Sequence, residues 1–183
     1  MANSDKNTSN ELAQADATVA TNGASSDSVN ANNATDQNTQ PGFGIEKLYV
    51  KDASLEIPNA PQIFTDRTAP QVNVELANAA QKLDEGVFEV AIKVTVTAKM
   101  NDKVAFLVEV TQAGVFAIRN VADENLEMII GVTCPNILFP YAREAVSDLV
   151  TRGGFAPVLL NPINFEALFM QQKQQAEQAA KAN

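Results

Sequence analysis

The chain has 183 residues with one cysteine and no histidine, and its 22 acids against 13 bases give a net charge of -9. That balance argues against nucleic acid, whose phosphates are met by Lys and Arg, and against an anionic membrane surface. It suits a basic partner, or serves only to keep the protein soluble.

Residues 1–42 are mostly Asn, Ser, Thr, Ala, Asp and Gln, with five acids against Lys6 and almost no large apolar side chains. Such a segment buries too little apolar surface to offset its chain entropy, so a disordered extension is expected. It precedes a domain over residues 43–170, and residues 171–183 form a polar tail that frays toward Asn183. The N-terminus lacks the basic-then-apolar order of a secretory signal, and no apolar stretch is long enough to span a bilayer. The expected location is the cytoplasm, without membrane insertion.

Ile45 to Ile57 reads as a strand whose apolar parity switches: Leu48 and Val50 are even, whereas Ala53, Leu55 and Ile57 are odd. One extra residue near Lys51-Asp52 explains the switch, so a bulge is expected there. Beyond it, Asp52, Ser54 and Glu56 share a polar face. Pro58 and Pro61 end the strand, and Pro70 marks a second boundary. Val72, Val74 and Leu76 alternate with polar residues in a second strand. Phe88, Val90, Ile92, Val94 and Val96 mark a third. Val104, Phe106, Val108 and Val110 mark a fourth, with Ala105, Leu107, Glu109 and Thr111 facing the other way. The last two strands should form a hairpin around Asn101-Asp102. Their apolar positions are all even, so paired numbers must sum to an even value. A simple two-residue turn gives an odd sum; a three- or five-residue loop, or a bulge, is favoured.

After Gly114 the chain is expected to turn helical, with Asp123 as N-cap. Pro135 is expected to stop that helix and Asn136 to cap a second, with an apolar stripe at Leu138, Ala142, Ala145 and Leu149 widened by Tyr141, Val146 and Val150. Gly153 fits the position just past its end, which explains Gly153-Gly154 without a phosphate. Asn164 should cap a third helix with Phe165, Leu168 and Phe169 on its apolar face. The whole is an α+β fold: a four-stranded antiparallel sheet with helices packed on one face.

Reactive chemistry is sparse. Without His, most triads and the commonest transition-metal sites are excluded. Cys134 allows no internal disulfide, lacks a base and reads as a small buried hydrophobe. Asp84-Glu85-Gly86 reads as a turn rather than a carboxylate pair, and Arg143-Glu144 as a solvated helix face. No phosphate-cradling glycine loop follows a strand. An enzyme is not expected, nor is a metal or cofactor.

Binding surface is the remaining possibility. Leu107 is the one large aliphatic on the otherwise polar face of its strand. It either lies under a second layer, is a scattered exposed apolar residue, or anchors a contact site ringed by carboxylates. Tyr49, Phe64, Phe106, Phe116, Phe165 and Phe169 exceed what one small sheet face needs. Core packing is their ordinary use, and any surplus apolar surface could seal an oligomer or hold extended peptides.

Four segments carry a resemblance: LYVKDASLEIPNAPQIF (48–64), VFEVAIKVTVTA (87–98), AFLVEV (105–110) and CPNILFPYAREAVSDLVTRGGFAPVLLNPINFEALF (134–169). Over about residues 43–175 the chain resembles the protein-export chaperone family SecB. The resemblance implies an ATP-independent, non-catalytic homotetramer, a dimer of dimers, that holds unfolded precursor proteins and delivers them to the motor ATPase SecA. It implies SecA contacts at Asp52, Glu56, Leu107 and Glu109, and a client groove near Phe64, Phe106 and Phe169. A chaperone or antitoxin partner of a toxin module, built on the same fold, is the alternative. The extension is longer than in a familiar member, and Val108 stands where that member has Cys.

Overall fold

The structure is a computed structural model that describes residues 40–181. The expected disordered extension, up to residue 39, lies outside the described residues. Four strands form one antiparallel sheet: β1 (Gly42–Glu56), β2 (Gln71–Asp84), β3 (Val87–Met100) and β4 (Lys103–Arg119). Their order is β1-β4-β3-β2. α1 (Asp123–Met128), a wide π turn (Ile129–Thr133), α2 (Cys134–Arg152) and α3 (Phe165–Lys181) follow. The α+β expectation holds, with the core between one sheet face and the helices.

β3 and β4 hold the centre because their even positions are nearly all Val, Ile or Phe. Ile92, Val94, Val96, Val108 and Val110 are fully buried. Against them α2 sets Cys134, Leu138, Ala142, Val146 and Val150, buried at every fourth position. That spacing keeps side chains on one helix face. Each such aliphatic removed from water contributes about 1.5–3 kcal/mol before entropy is counted. Tyr141, expected in this stripe, is instead half exposed.

Turn chemistry settles the register. Met100 pairs with Lys103 around Asn101 (φ 47) and Asp102 (φ 62), a two-residue turn with both residues left-handed. Asn and Asp tolerate that conformation. Lys99 pairs with Val104 but Ala98 pairs with Phe106, so Ala105 is an extra residue. The bulge restores even-to-even pairing, as parity requires. In β1 the expected bulge is present: Val50 pairs with Gln112 and Asp52 with Thr111, leaving Lys51 unmatched. A second shift between Ile45 and Lys47 was not foreseen.

Three expectations need correction. β4 does not give way to helix after Gly114; it continues to Arg119, paired with both β1 and β3. Pro135 does not stop a helix, and Asn136 caps nothing. The π turn closes with Cys134 N–H bonded to Ile129 O, and Pro135 then falls in the first turn of α2, where a missing N–H costs nothing. Asp123 lies one residue inside α1, whose N-cap is Ala122.

At the end of α2 the left-handed residue is Gly154 (φ 86), one beyond the expected position. Its N–H bonds Thr151 O at 3.0 Å, and Phe155 N–H bonds Val150 O at 3.2 Å. This paired closure turns the chain back over the sheet. Asn164 does cap α3, accepting from Ala167 N–H at 3.0 Å. α3 runs through Lys181, well past its last large apolar residue.

Candidate functional site

β1 and β2 occupy opposite edges, so the segment joining them, residues 57–70, must cross one end of the sheet. Asn59 Nδ2 pins it to Val104 O at 2.9 Å, and Ile63 is buried in the core. One helix is about 10 Å wide and strands lie about 4.8 Å apart, so α2 roofs only about two strands. It sits on β3 and β4 and leaves the apolar face of β2 open. Val72 and Val74 there are 46% and 44% exposed.

The open strip is one side of a groove of about 860 Å³. Val72, Val74 and Leu76 line it from β2, with Val94, Met100 and Phe106 behind them. The crossing after α2, Gly154 to Ile163, forms the opposite wall. Two of that wall's positions are Pro157 and Pro162, which lack backbone donors and bias Ala156 and Asn161 before them to extended backbone. Phe155 stands between Phe106 and Phe64, ring centroids 4.9 and 5.2 Å away. Asp66 is the groove's one carboxylate; bonds from Thr68 and then Asn101 hold it below its ordinary pKa. An apolar, partly open trough with extended walls can take an extended chain by its side chains.

Two of the three expected groove residues line it. Phe64 is 45% exposed, and Phe106 lies beneath with its ring almost wholly covered. Phe169 does not: its ring lies on Gly131 of the π turn, where a Cβ would come within 2.5 Å of it. α3 docks there by an aromatic seated on a bare backbone, away from the trough. Sequence reasoning missed Phe155, Val72 and Val74. The glycine closure before Phe155 was the available signal, since the residue after such a glycine commonly folds back onto its helix.

The opposite face of the same sheet is polar. Register places Asp52 opposite Thr111, Ser54 opposite Glu109 and Glu56 opposite Leu107. On the other side of β4, Thr95 lies opposite Glu109 and Thr97 opposite Leu107. The expected four residues therefore share one patch: exposed Asp52 and Glu56, half-buried Leu107 and Glu109. Lys93 Nζ reaches Glu109 Oε2 at 3.0 Å and Thr95 Oγ1 donates to it at 3.1 Å. Those bonds, Lys93 first, hold the Glu109 carboxyl below its ordinary pKa. Leu107 is half-buried, takes no part in the core among the described residues, and stands among carboxylates.

Neither surface offers reaction chemistry. Burial pushes the Cys134 thiol up to about 12, so it carries almost no thiolate at neutral pH. Glu85 N–H bonds Asp84 Oδ1 at 2.7 Å within the β2–β3 turn, as a turn carboxylate does. Arg143 lies over the ring of Phe139, one turn earlier on the same helix, at 5.9 Å. Among the described residues no cluster of His, Cys, Asp or Glu could hold a metal, and no helix is long and apolar enough to cross a membrane.

Comparison with known proteins shows the family of the chain. The family described as preprotein translocase subunit SecB matches residues 36–176. The chain is 66% identical over 150 residues to the protein-export protein SecB of Methylobacillus flagellatus, covering 82% of this chain and 94% of that one. It is 60% identical over 146 residues to its counterpart in Chromobacterium violaceum, covering 80% and 97%. Among solved structures, a Mycobacterium tuberculosis SecB-like chaperone in complex with a ChAD peptide from the HigA1 antitoxin aligns with TM-score 0.56. It is 20% identical and covers 66% of this chain and 90% of that one, a likeness of fold.

Proposed function

Because the chain belongs to the SecB family, we propose that it is an ATP-independent chaperone that binds unfolded precursor proteins in the cytoplasm, keeps them translocation-competent and delivers them to the motor ATPase SecA. The observation that carries this reading is the pairing of an unroofed apolar groove with a polar patch on the reverse of the same strands. An unfolded chain offers what the groove lacks: apolar side chains on an extended backbone. Each Val, Leu or Phe it buries is worth about 1.5–3 kcal/mol before ordering costs. Several weak sites on one client raise each other's effective concentration, so a homotetramer, as a dimer of dimers, holds more firmly than one subunit. No nucleotide, metal or other cofactor enters, and release follows from the client's own folding or its transfer to the motor.

Asp52, Glu56, Leu107 and Glu109 are the SecA contacts in this reading: an aliphatic anchor with acids around it for a basic docking segment. Phe64 and Phe106 serve the client, whereas Phe169 serves α3. The test is aggregation of a denatured precursor on dilution, followed by light scattering. Stoichiometric protein should suppress scattering without ATP. Scattering indistinguishable from that with an inert protein would contradict the reading.

A further inference from the structure

Glu89 is out of place on the outer sheet face. It is 7% exposed, yet it lies on the polar side of β3 and takes no part in the core. The Tyr49 hydroxyl donates to one of its carboxylate oxygens. Lys51 Nζ donates to the other at 2.7 Å. Both donors come from β1, two strands away. Tyr49 pairs with Ala113 of β4, so its side chain must cross β4 above that alanine, which is fully buried. Glu89 itself lies between Val115 of β4 and Gln81 of β2, neither of which titrates.

The donors are also the two residues that bracket the switch in β1. Lys51 is the unmatched residue of the bulge, and Tyr49 is the last outward residue before it. Without the bulge, Asp52, Ser54 and Glu56 would turn to the helix side, and Ala53 and Leu55 would face outward. We propose that Glu89, gripping Tyr49 and Lys51, is a positioning residue for the partner face: it holds the bulge that presents Asp52 and Glu56 beside Leu107 and Glu109. The inference rests on the docking role given above to those four residues. Its bonds to Lys51 and Tyr49 hold the Glu89 carboxyl below its ordinary pKa, so the clamp is charged and closed at neutral pH.

Charge and position predict opposite signs, which gives the test. Lys51→Met makes an acidic face more acidic, so on charge alone it should bind a basic partner more tightly. A lost clamp instead weakens binding. Titration calorimetry of purified SecA against the full-length protein, Lys51→Met, Tyr49→Phe and Leu107→Arg separates these. Lys51→Met should bind about fivefold more weakly, a part of the roughly tenfold or more that one hydrogen bond to a charged group is worth, because backbone pairing also holds the bulge. Tyr49→Phe, which changes no charge, should weaken binding by about threefold on the same scale. The two together should fall short of the product of their separate effects, because they share one acceptor. Both donors reach the surface at β1, and the chemical-denaturation midpoint should be unchanged within about 0.3 M urea, a shift small beside the usual stability range. Lys51→Met binding as tightly as the unaltered protein, or more tightly, overturns the clamp. So does a loss that tracks a fall in the midpoint. Unchanged affinity in Leu107→Arg overturns the docking role itself, and this inference with it.

Discussion

The two faces of β3 and β4 are written by alternate residues of the same strands, yet they end up with opposite chemistry. Even positions make a core that runs out from under its roof at β2 and becomes the groove. Odd positions make a more polar sheet face, on which Leu107 stands among Asp52, Glu56 and Glu109. The groove can bind many sequences because its attraction is non-directional and scales with area. The outer patch is suited to one partner, because placed charges around an anchor set register and orientation. In the proposed reading, selectivity on one side and tolerance on the other follow from side-chain chemistry.

The largest effect should come from making the groove wet. Phe64→Ser with Val74→Ser removes two exposed apolar contacts and should weaken holding of an unfolded precursor about tenfold to hundredfold. Fluorescence anisotropy of a labelled, permanently unfolded client would measure it, with SecA affinity unchanged. Both residues are about half exposed, so the unfolding midpoint should move little. Equal loss on both faces would break the division of labour.

Next in size is the reverse experiment. Leu107→Arg or Glu109→Lys should weaken SecA binding about tenfold. Native mass and client anisotropy should stay as they were. Loss of client binding in either variant would show that the faces are not separate.

The smallest effect is in pH. Glu89 has its carboxyl lowered from the ordinary 4.5 by Lys51 and then Tyr49. A folded pKa below the unfolded one means that the group's contribution is complete above the ordinary value and is lost as pH falls through the folded value. SecA affinity between pH 8 and pH 6 should therefore be flat as far as Glu89 is concerned. The unfolding midpoint should drop below about pH 4.5, less so in Glu89→Gln, with urea titrations reading both. A Glu89→Gln protein with the same acid slope would remove the carboxylate from the clamp.

Much of this was legible in the sequence where one face was clean. The parity switch at Lys51-Asp52 announced the bulge, and with it the outward turn of Asp52 and Glu56. The even-sum requirement announced the irregular β3–β4 hairpin. Legibility failed where neighbours override local preference. β2 continues through Ala77, Asn78, Ala79, Ala80 and Gln81, poor strand formers that β3 holds by hydrogen bonds. β4 passes Gln112, Ala113 and Gly114, where small or polar residues buried between two strands erase the alternation. Pro135 read as a stop because a π turn that places it at a helix start has no sequence mark. The outer patch was found through resemblance and parity together. The Pro-rich crossing was legible as one border of the groove, whereas its β2 wall was not, because that depends on how far α2 reaches across the sheet, a width that no strand or helix pattern contains.

The division between the faces is tested most directly by loading both at once. Native mass spectrometry of the protein with a saturating unfolded precursor, then with SecA added, should show a ternary assembly. SecA affinity for the loaded form should be at least that for the empty form. Displacement of the client by SecA at equilibrium, with no ternary mass at any ratio, would mean that both partners compete for one surface and would contradict the arrangement described.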